Sequence, residues 1–225
     1  MTTAGYKKRA FIALPSGGVA MTDEPMTRRA GTQVCFTTDP VKNVWSPLAA
    51  DAVVIEDNGV VVDPENYTVQ HLGGQVEFID SYVITGPVTV TGLYLPRLVL
   101  VTARAATFNM LRVSIDISVL GQDYVDRMPG RGDCAGTAEC LEDGGYDHDP
   151  GAGIAKFEEI VAAGLPVLFE YKPNPDNPRT ARAWALFENV DLTSELDSPT
   201  TASLAWNGAL PGLAVKSYFF GDPTV

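Results

Sequence analysis

Positive charge is in short supply in this sequence: 16 Lys and Arg stand against 28 Asp and Glu, a formal net charge of −12. A protein that wraps nucleic acid neutralises phosphates with clustered basic side chains, and that class of function is excluded. Histidine is scarcer still, with only His71 and His148. There is also no G-x-S-x-G elbow and no H-E-x-x-H helix, so neither an acyl-transfer triad nor a metalloprotease has support, and no enzymatic role or cofactor is expected. Three cysteines, Cys35, Cys134 and Cys140, are too few and too unevenly placed for a disulfide-stapled secreted scaffold, which points to a reducing compartment. The sequence neither requires nor forbids a Cys134–Cys140 bridge. Long apolar runs are missing too. The opening MTTAGYKKRAFIALPSGG holds an apolar stretch of only Ala10 to Leu14, so neither a signal peptide nor membrane insertion is expected.

What is present is a β pattern. Gly (21) and Pro (16) punctuate many short segments rich in Val, Ile, Thr, Tyr and Phe, and the apolar fraction of 45% can supply a core. AVVIEDNGVVVDP turns at Asn58-Gly59, a dipeptide suited to a type I′ hairpin. NYTVQHLGGQVEFI turns at Gly73-Gly74 and GPVTVTGLYLP follows, so residues 52–96 read as a hairpin-rich β-meander. Strands are also expected at 97–103 and at 111–119, where Leu111, Val113, Ile115, Ile117 and Val119 alternate with Arg112, Ser114, Asp116 and Ser118. Further strands are expected at 166–171, 181–192 and 200–208. One helix is expected, Ile154 to Ala163, ended by Gly164 and Pro166. No repeat or interdomain linker interrupts residues 1–225, which read as a single domain. Residues 172–180 and a long acidic, Gly-rich segment at 121–153 read as loops.

That second loop contains RGDCAGTAECLEDGGYDHDP, the densest stretch of chemistry in the chain. Its Asp133, Glu139, Glu142, Asp143, Asp147 and Asp149 are hard oxygen donors, but they lack the spacing, central Gly and terminal Glu of an EF-hand. Cys134, Cys140 and His148 likewise lack the C-x-x-C pair of a zinc site. No metal is expected. Arg131-Gly132-Asp133 beside Pro129 and Gly130 reads as turn chemistry rather than a receptor ligand, and PGAGIAK at 150–156 as the approach to a helix rather than a phosphate cradle. The basic residues concentrate near the start, in Lys7, Lys8 and Arg9 and in Arg28 and Arg29. In an acidic protein they are candidates for meeting an acidic face of a neighbouring copy, with Asp133, Glu139, Glu142, Asp143, Asp147 and Asp149 as the complement.

GGVAMTDEPMT, then VWSPLAADAVVIEDNGVVVDPENYTVQHLGGQVEF, then GPVTVTGLYLP and TASLAWNGAL occur in this order. Together they resemble the major tail tube protein of long flexible-tailed, siphovirus-like bacteriophages. The resemblance implies an antiparallel β-sandwich or barrel with one flanking α-helix. It also implies a structural virion subunit, assembled in the host cytoplasm with other tail proteins. Such subunits form hexameric rings stacked into a tube, the conduit for DNA ejection, through which DNA passes transiently and without sequence recognition. On that reading, strands at 97–103 and 111–119 pair with neighbouring subunits. Arg112, Ser114, Asp116 and Ser118 then face the channel, where Arg112 interrupts an otherwise non-cationic lining, and 121–153 is an assembly loop reaching the next ring.

Two alternatives stand beside this one. A carbohydrate- or receptor-binding β-sandwich would stack Trp45, Tyr124, Tyr146 or Trp184 on sugar rings. A tail terminator or ring adaptor would share the fold class and stop at one ring.

Overall fold

The chain is described by a computed structural model over residues 9–14, 17–48, 52–99, 103–116, 127–141, 160–164, 166–172, 179–193, 201–209 and 218–223. It is mainly β, in two curled antiparallel sheets. In chain order the strands are β1 (Arg9–Ala13), β2 (Val19–Arg28), β3 (Val34–Thr37), β4 (Val54–Asp57), β5 (Val60–Val61), β6 (Tyr67–Gln70), β7 (Gln75–Phe78), β8 (Val88–Tyr94) and β9 (Leu98–Val99). There follow β10 (Ala103–Asp116), β11 (Arg127–Leu141), β12 (Val167–Lys172), β13 (Thr180–Thr193), β14 (Thr201–Gly208) and β15 (Tyr218–Gly221). The eight-stranded sheet runs β10-β11-β14-β13-β12-β1-β9, with β15 also on β13, and the seven-stranded sheet runs β5-β4-β8-β2-β3-β7-β6.

The three late strands fall where the alternation put them. The helix is seen at its C-terminal end, residues 160–163, closed by Gly164 at a φ of +60°. Its earlier part, 154–159, lies outside the described residues. Strand β10 begins well before the expected Leu111, at Ala103, and of the strand expected at 97–103 Leu98–Val99 pairs with β1 while Ala103 already belongs to β10 and pairs with Cys140; residues 100–102 lie outside the described residues.

The hairpins of residues 52–96 form where their turn residues require, with Asn58 and Gly59 both in the left-handed region at φ +54° and +76°. They do not make a meander. β4–β5 and β6–β7 sit at opposite ends of the seven-stranded sheet, and the middle is supplied by β8, β2 and β3. Strand β2 carries a bulge between Met21 and Glu24, with Asp23 at φ +49°, so that Met21 and Glu24, three apart, both turn inward. That break in period two, together with Pro25, hid the strand from pattern reading.

The larger correction concerns 121–153. Residues 127–141 of that expected loop are strand β11, paired with β10 on one side and with β14 on the other. At one position in it glycine is required by close packing. Gly136 lies opposite both Phe108 and Trp206, and the two aromatic rings, 5.2 Å apart, fold over it. Cys134 and Cys140 therefore stand six residues apart on one strand, roughly 20 Å at ~3.3 Å per residue, too far for a bridge that needs Cα atoms within about 7 Å. Residues 142–153 lie outside the described residues. Deleting 131–149 would remove most of a strand paired on both sides, so it would not test assembly alone.

Each sheet has its own core. The larger packs Ile12, Val167, Phe169, Phe187, Leu204 and Trp206; the smaller packs Trp45, Ile55, Tyr67, Val76, Phe78 and Val90. A third, smaller cluster of Ala13, Val44, Leu72, Leu95, Leu168 and Trp184 joins residues of the two. The smaller sheet is pinned near its edge by Asp57, which is buried and accepts from the backbone N–H of Thr85 and Gly86 (both 2.8 Å) and from the hydroxyls of Thr85 (3.0 Å) and Tyr82 (3.2 Å). Burial pushes the Asp57 pKa up, but these four donors outweigh it and hold the carboxyl below 3.8. Its stabilisation is present above that value and is lost as pH falls through the lower folded-state pKa. Asp57→Asn should cost about 2–3 kcal/mol at pH 7, since one carboxylate oxygen is replaced by an NH₂ facing donors. Urea unfolding at pH 7 and pH 3 checks this: the gap between variant and parent should narrow at pH 3.

Candidate assembly surface

Strands β10, β11, β14 and β13 lie side by side, and their register defines rows of side chains on the face away from the core. One row is Asn109, Ala135, Asn207 and Leu186; the next is Thr107, Thr137, Ala205 and Asn189; the third is Ala105, Glu139, Ser203 and Asp191. Alternation explains the division: Cys134, Gly136, Ala138, Ala202, Leu204 and Trp206 point inward and are buried, and their neighbours point out. Thr107 and Thr137 share a hydrogen bond across the pair at 2.9 Å, Asn207 donates to Glu188 at 2.6 Å, and Asn189 donates to Asp191 at 2.8 Å. These rows are short, uncharged or acidic, and carry no Lys or Arg.

The same sheet ends in an open edge. β10 is paired only with β11, leaving a 14-residue strand with one side unpaired among the described residues. Met110 on it is 52% exposed. Moreover, β14 pairs with β11 over Ala135–Leu141, so, among the described residues, 127–134 pair with β10 alone and form a two-stranded arm, roughly 26 Å long at ~3.3 Å per residue. A bulge between Arg112 and Ser114 bends the arm. A two-stranded ribbon is marginal in water by itself, and a long open edge invites another strand.

The sequence-derived candidates distribute as follows. Arg112, Ser114 and Asp116 are on the arm, opposite Gly132, Pro129 and Arg127, while Ser118 lies outside the described residues. Asp133 is on the arm opposite Leu111, and Glu139 is on the outward face beside Ser203. The Arg-Gly-Asp tripeptide is thus within a strand. Arg9 is in β1 opposite Lys172. Arg28, exposed, donates to the Thr32 carbonyl at 2.8 Å and to Gln33 at 2.6 Å, closing its own turn; Arg29 follows it there. Lys7, Lys8, Glu142, Asp143, Asp147, His148 and Asp149 lie outside the described residues. Arg28 ends β2 of the seven-stranded sheet, Arg29 follows it in the turn, and Glu139 lies on β11 of the eight-stranded sheet. Trp45 and Trp184 are fully buried, which removes them as sugar-stacking platforms; Tyr124 and Tyr146 lie outside the described residues.

Sequence reasoning missed one constellation. Arg182 and Glu170 are register partners on β13 and β12, both buried. The Glu170 carboxylate accepts from Arg182 Nε at 3.0 Å and from Arg97 Nη1 at 2.8 Å. Arg182 also donates to the carbonyls of Asn43 (3.0 Å) and Leu72 (2.7 Å) and to Asn43 Oδ1 (2.9 Å), and Arg97 donates to the Pro40 carbonyl. The signal was available: a single charge inside each of the apolar strands VLFEY and ARAWALF. Burial raises the Glu170 pKa, and the charges of Arg182 and Arg97 more than reverse this, holding it below 4.5. Burial likewise lowers Arg182 to about 10, against the opposing pull of Glu170.

The fold and this surface define a mainly β protein with a long open strand edge and a cation-free face. No protein-family model matches the chain, and no curated protein matches it. Two solved structures are similar to part of it. One, titled as the virion of a native gene transfer agent particle, has 12% identity and a TM-score of 0.43, over 55% of this chain and 88% of that one. The other, titled as the tail of an empty gene transfer agent particle refined helically with C6 symmetry, has 11% identity and a TM-score of 0.43, over 56% and 86%. At these values the likeness carries no functional argument. No helix among the described residues is long and apolar enough to cross a membrane.

Proposed function

We propose that this chain is a structural subunit of a phage tail, and specifically of the tail tube, assembling as rings, six copies to each, that stack around a DNA conduit. The observation that carries the reading is the four-stranded outward face without Lys or Arg, ending in an open 14-residue edge strand. Pairing β10 with a neighbouring copy would close the edge and continue the face around a ring. A lining of Asn, Thr, Ser, Glu and Asp then offers phosphates no cation to hold them, so DNA slides past without sequence recognition. The lining is drawn here from Thr107, Asn109, Thr137, Glu139, Ser203 and Asn207. The β10–β11 arm reaches beyond the sheet and meets another copy, within the ring or in the next one. The order of the resembling segments noted in the sequence supports the same family.

Negative-stain electron microscopy with light scattering across a concentration series tests this. Open-bored rings or tubes are expected from the parent chain, and Met110→Asp on the open edge should leave a folded protein that associates at least about tenfold more weakly. Rings that never stack would favour a terminator or adaptor. Unchanged assembly of Met110→Asp would overturn the role given to β10.

A further inference from the structure

The two sheets meet through the apolar cluster of Ala13, Val44, Leu72, Leu95, Leu168 and Trp184 and through an ionic group beside it. Three side chains make up the ionic part: Glu170 and Arg182 come from the eight-stranded sheet, and Arg97 from the segment between β8 and β9. Their partners on the other side are the carbonyls of Pro40, Asn43 and Leu72 and the side chain of Asn43, all in loops of the seven-stranded sheet. One carboxylate serves two guanidiniums, and Arg97 in addition lies over the Phe11 ring at 5.9 Å.

We propose that this cluster is a latch, which fixes the angle between the two sheets and yields before either sheet comes apart. Each sheet keeps a separate core that does not include these charges. The latch, by contrast, depends on a single group. Without the Glu170 charge, the fully buried Arg182 guanidinium keeps only carbonyl and amide oxygens as partners, with the partly exposed Arg97 guanidinium beside it, and removing one partner of a buried ion pair is strongly destabilising. The groups facing Glu170 are Arg182 and Thr180 from β13 and Arg97, and those facing Arg182 are Glu170, Asn43 and the Leu72 carbonyl. The loops bearing the acceptors are tied by Trp45 N–H to the His71 carbonyl, Leu95 N–H to the Val44 carbonyl (both 2.9 Å) and Thr37 N–H to the Gly74 carbonyl (3.0 Å). These amides therefore report on the latch. The inference concerns the subunit alone and does not rest on the tail reading.

Hydrogen exchange by mass spectrometry on the full chain at neutral pH, dilute enough to be monomeric, makes the test. In Glu170→Gln, peptides carrying Trp45, Thr37 and Leu95 should exchange about tenfold faster or more, while those covering 54–57, 88–93 and 201–208 keep the parent rate within about threefold. Arg97→Met, which leaves Arg182 on Glu170, should accelerate the same three amides by less. Acceleration spread evenly over both sheets, global unfolding included, would mean one cooperative core and overturn the latch. So would unchanged exchange at the three amides in both variants.

Discussion

Gly136→Ala is expected to cost about 3 kcal/mol or more, the upper range for overpacking, and to lower the melting midpoint by roughly 6–12 °C in a chain of this size. A Cβ at Gly136 would fall against the Thr107 carbonyl oxygen and 2.5 Å from Cζ2 of Trp206. Neither can retreat cheaply. The carbonyl belongs to the ladder of β10 and β11, and Trp206 is 1% exposed, wedged against Phe108 and Phe169 with ring centroids 5.2 Å away in each case. Relief requires parting β10 from β11 or expelling the indole, and both disturb the sheet that carries the proposed assembly face. Thermal unfolding followed by near-ultraviolet circular dichroism reads the loss directly. A midpoint within about 2 °C of the parent would show that the strands breathe enough to admit a methyl group, and the packing argument would fail.

Gly74→Ala should be comparably damaging for two separate reasons. Gly74 adopts φ +58°, where an L side chain costs about 1–2 kcal/mol, and its Cβ would lie 2.7 Å from the Asn43 Cα and 2.9 Å from the Asn43 carbonyl carbon and oxygen. Asn43 presents both its carbonyl and its side-chain oxygen to Arg182, so displacing it loosens the ionic junction as well. A total of about 3 kcal/mol is expected from urea titration. Gly59→Ala provides the control: its φ of +76° carries the same backbone penalty, but no atom lies within 4 Å of the added Cβ, so only about 1–2 kcal/mol should be lost. Equal losses at both positions would show that conformation alone governs Gly74.

These glycines also show how far the sequence could be read. Gly59 and Gly74 were legible because each follows a turn-forming neighbour between two β-rich runs, and local chemistry fixes such hairpins. Gly136 was not. Three glycines, a proline and two acids within fifteen residues look like a loop, and only the arrival of Phe108 and Trp206 from other strands makes glycine the residue that fits at Gly136. The same limit applies to Arg182 and Glu170. Each is a lone charge in an apolar strand, a signal that was passed over, and that they face each other is a fact of register between β12 and β13. The lining expected at Arg112, Ser114 and Asp116 was drawn from one alternating segment, now part of β10, whereas the cation-free face needed four strands whose neighbours are remote in sequence.

The Asn58-Gly59 turn lies at the tip of the hairpin that ends the seven-stranded sheet, with Val60 and Val61 exposed beside it. It belongs to neither the eight-stranded sheet nor the strands that carry the proposed assembly face. Closing a flexible loop costs little more as it lengthens, about 0.6 kcal/mol per doubling, so a peptide grafted between Asn58 and Gly59 should leave both cores intact. In a tube built from this subunit the graft would repeat with every copy, turning the particle into a regular display scaffold whose spacing is set by the lattice rather than by the grafted peptide.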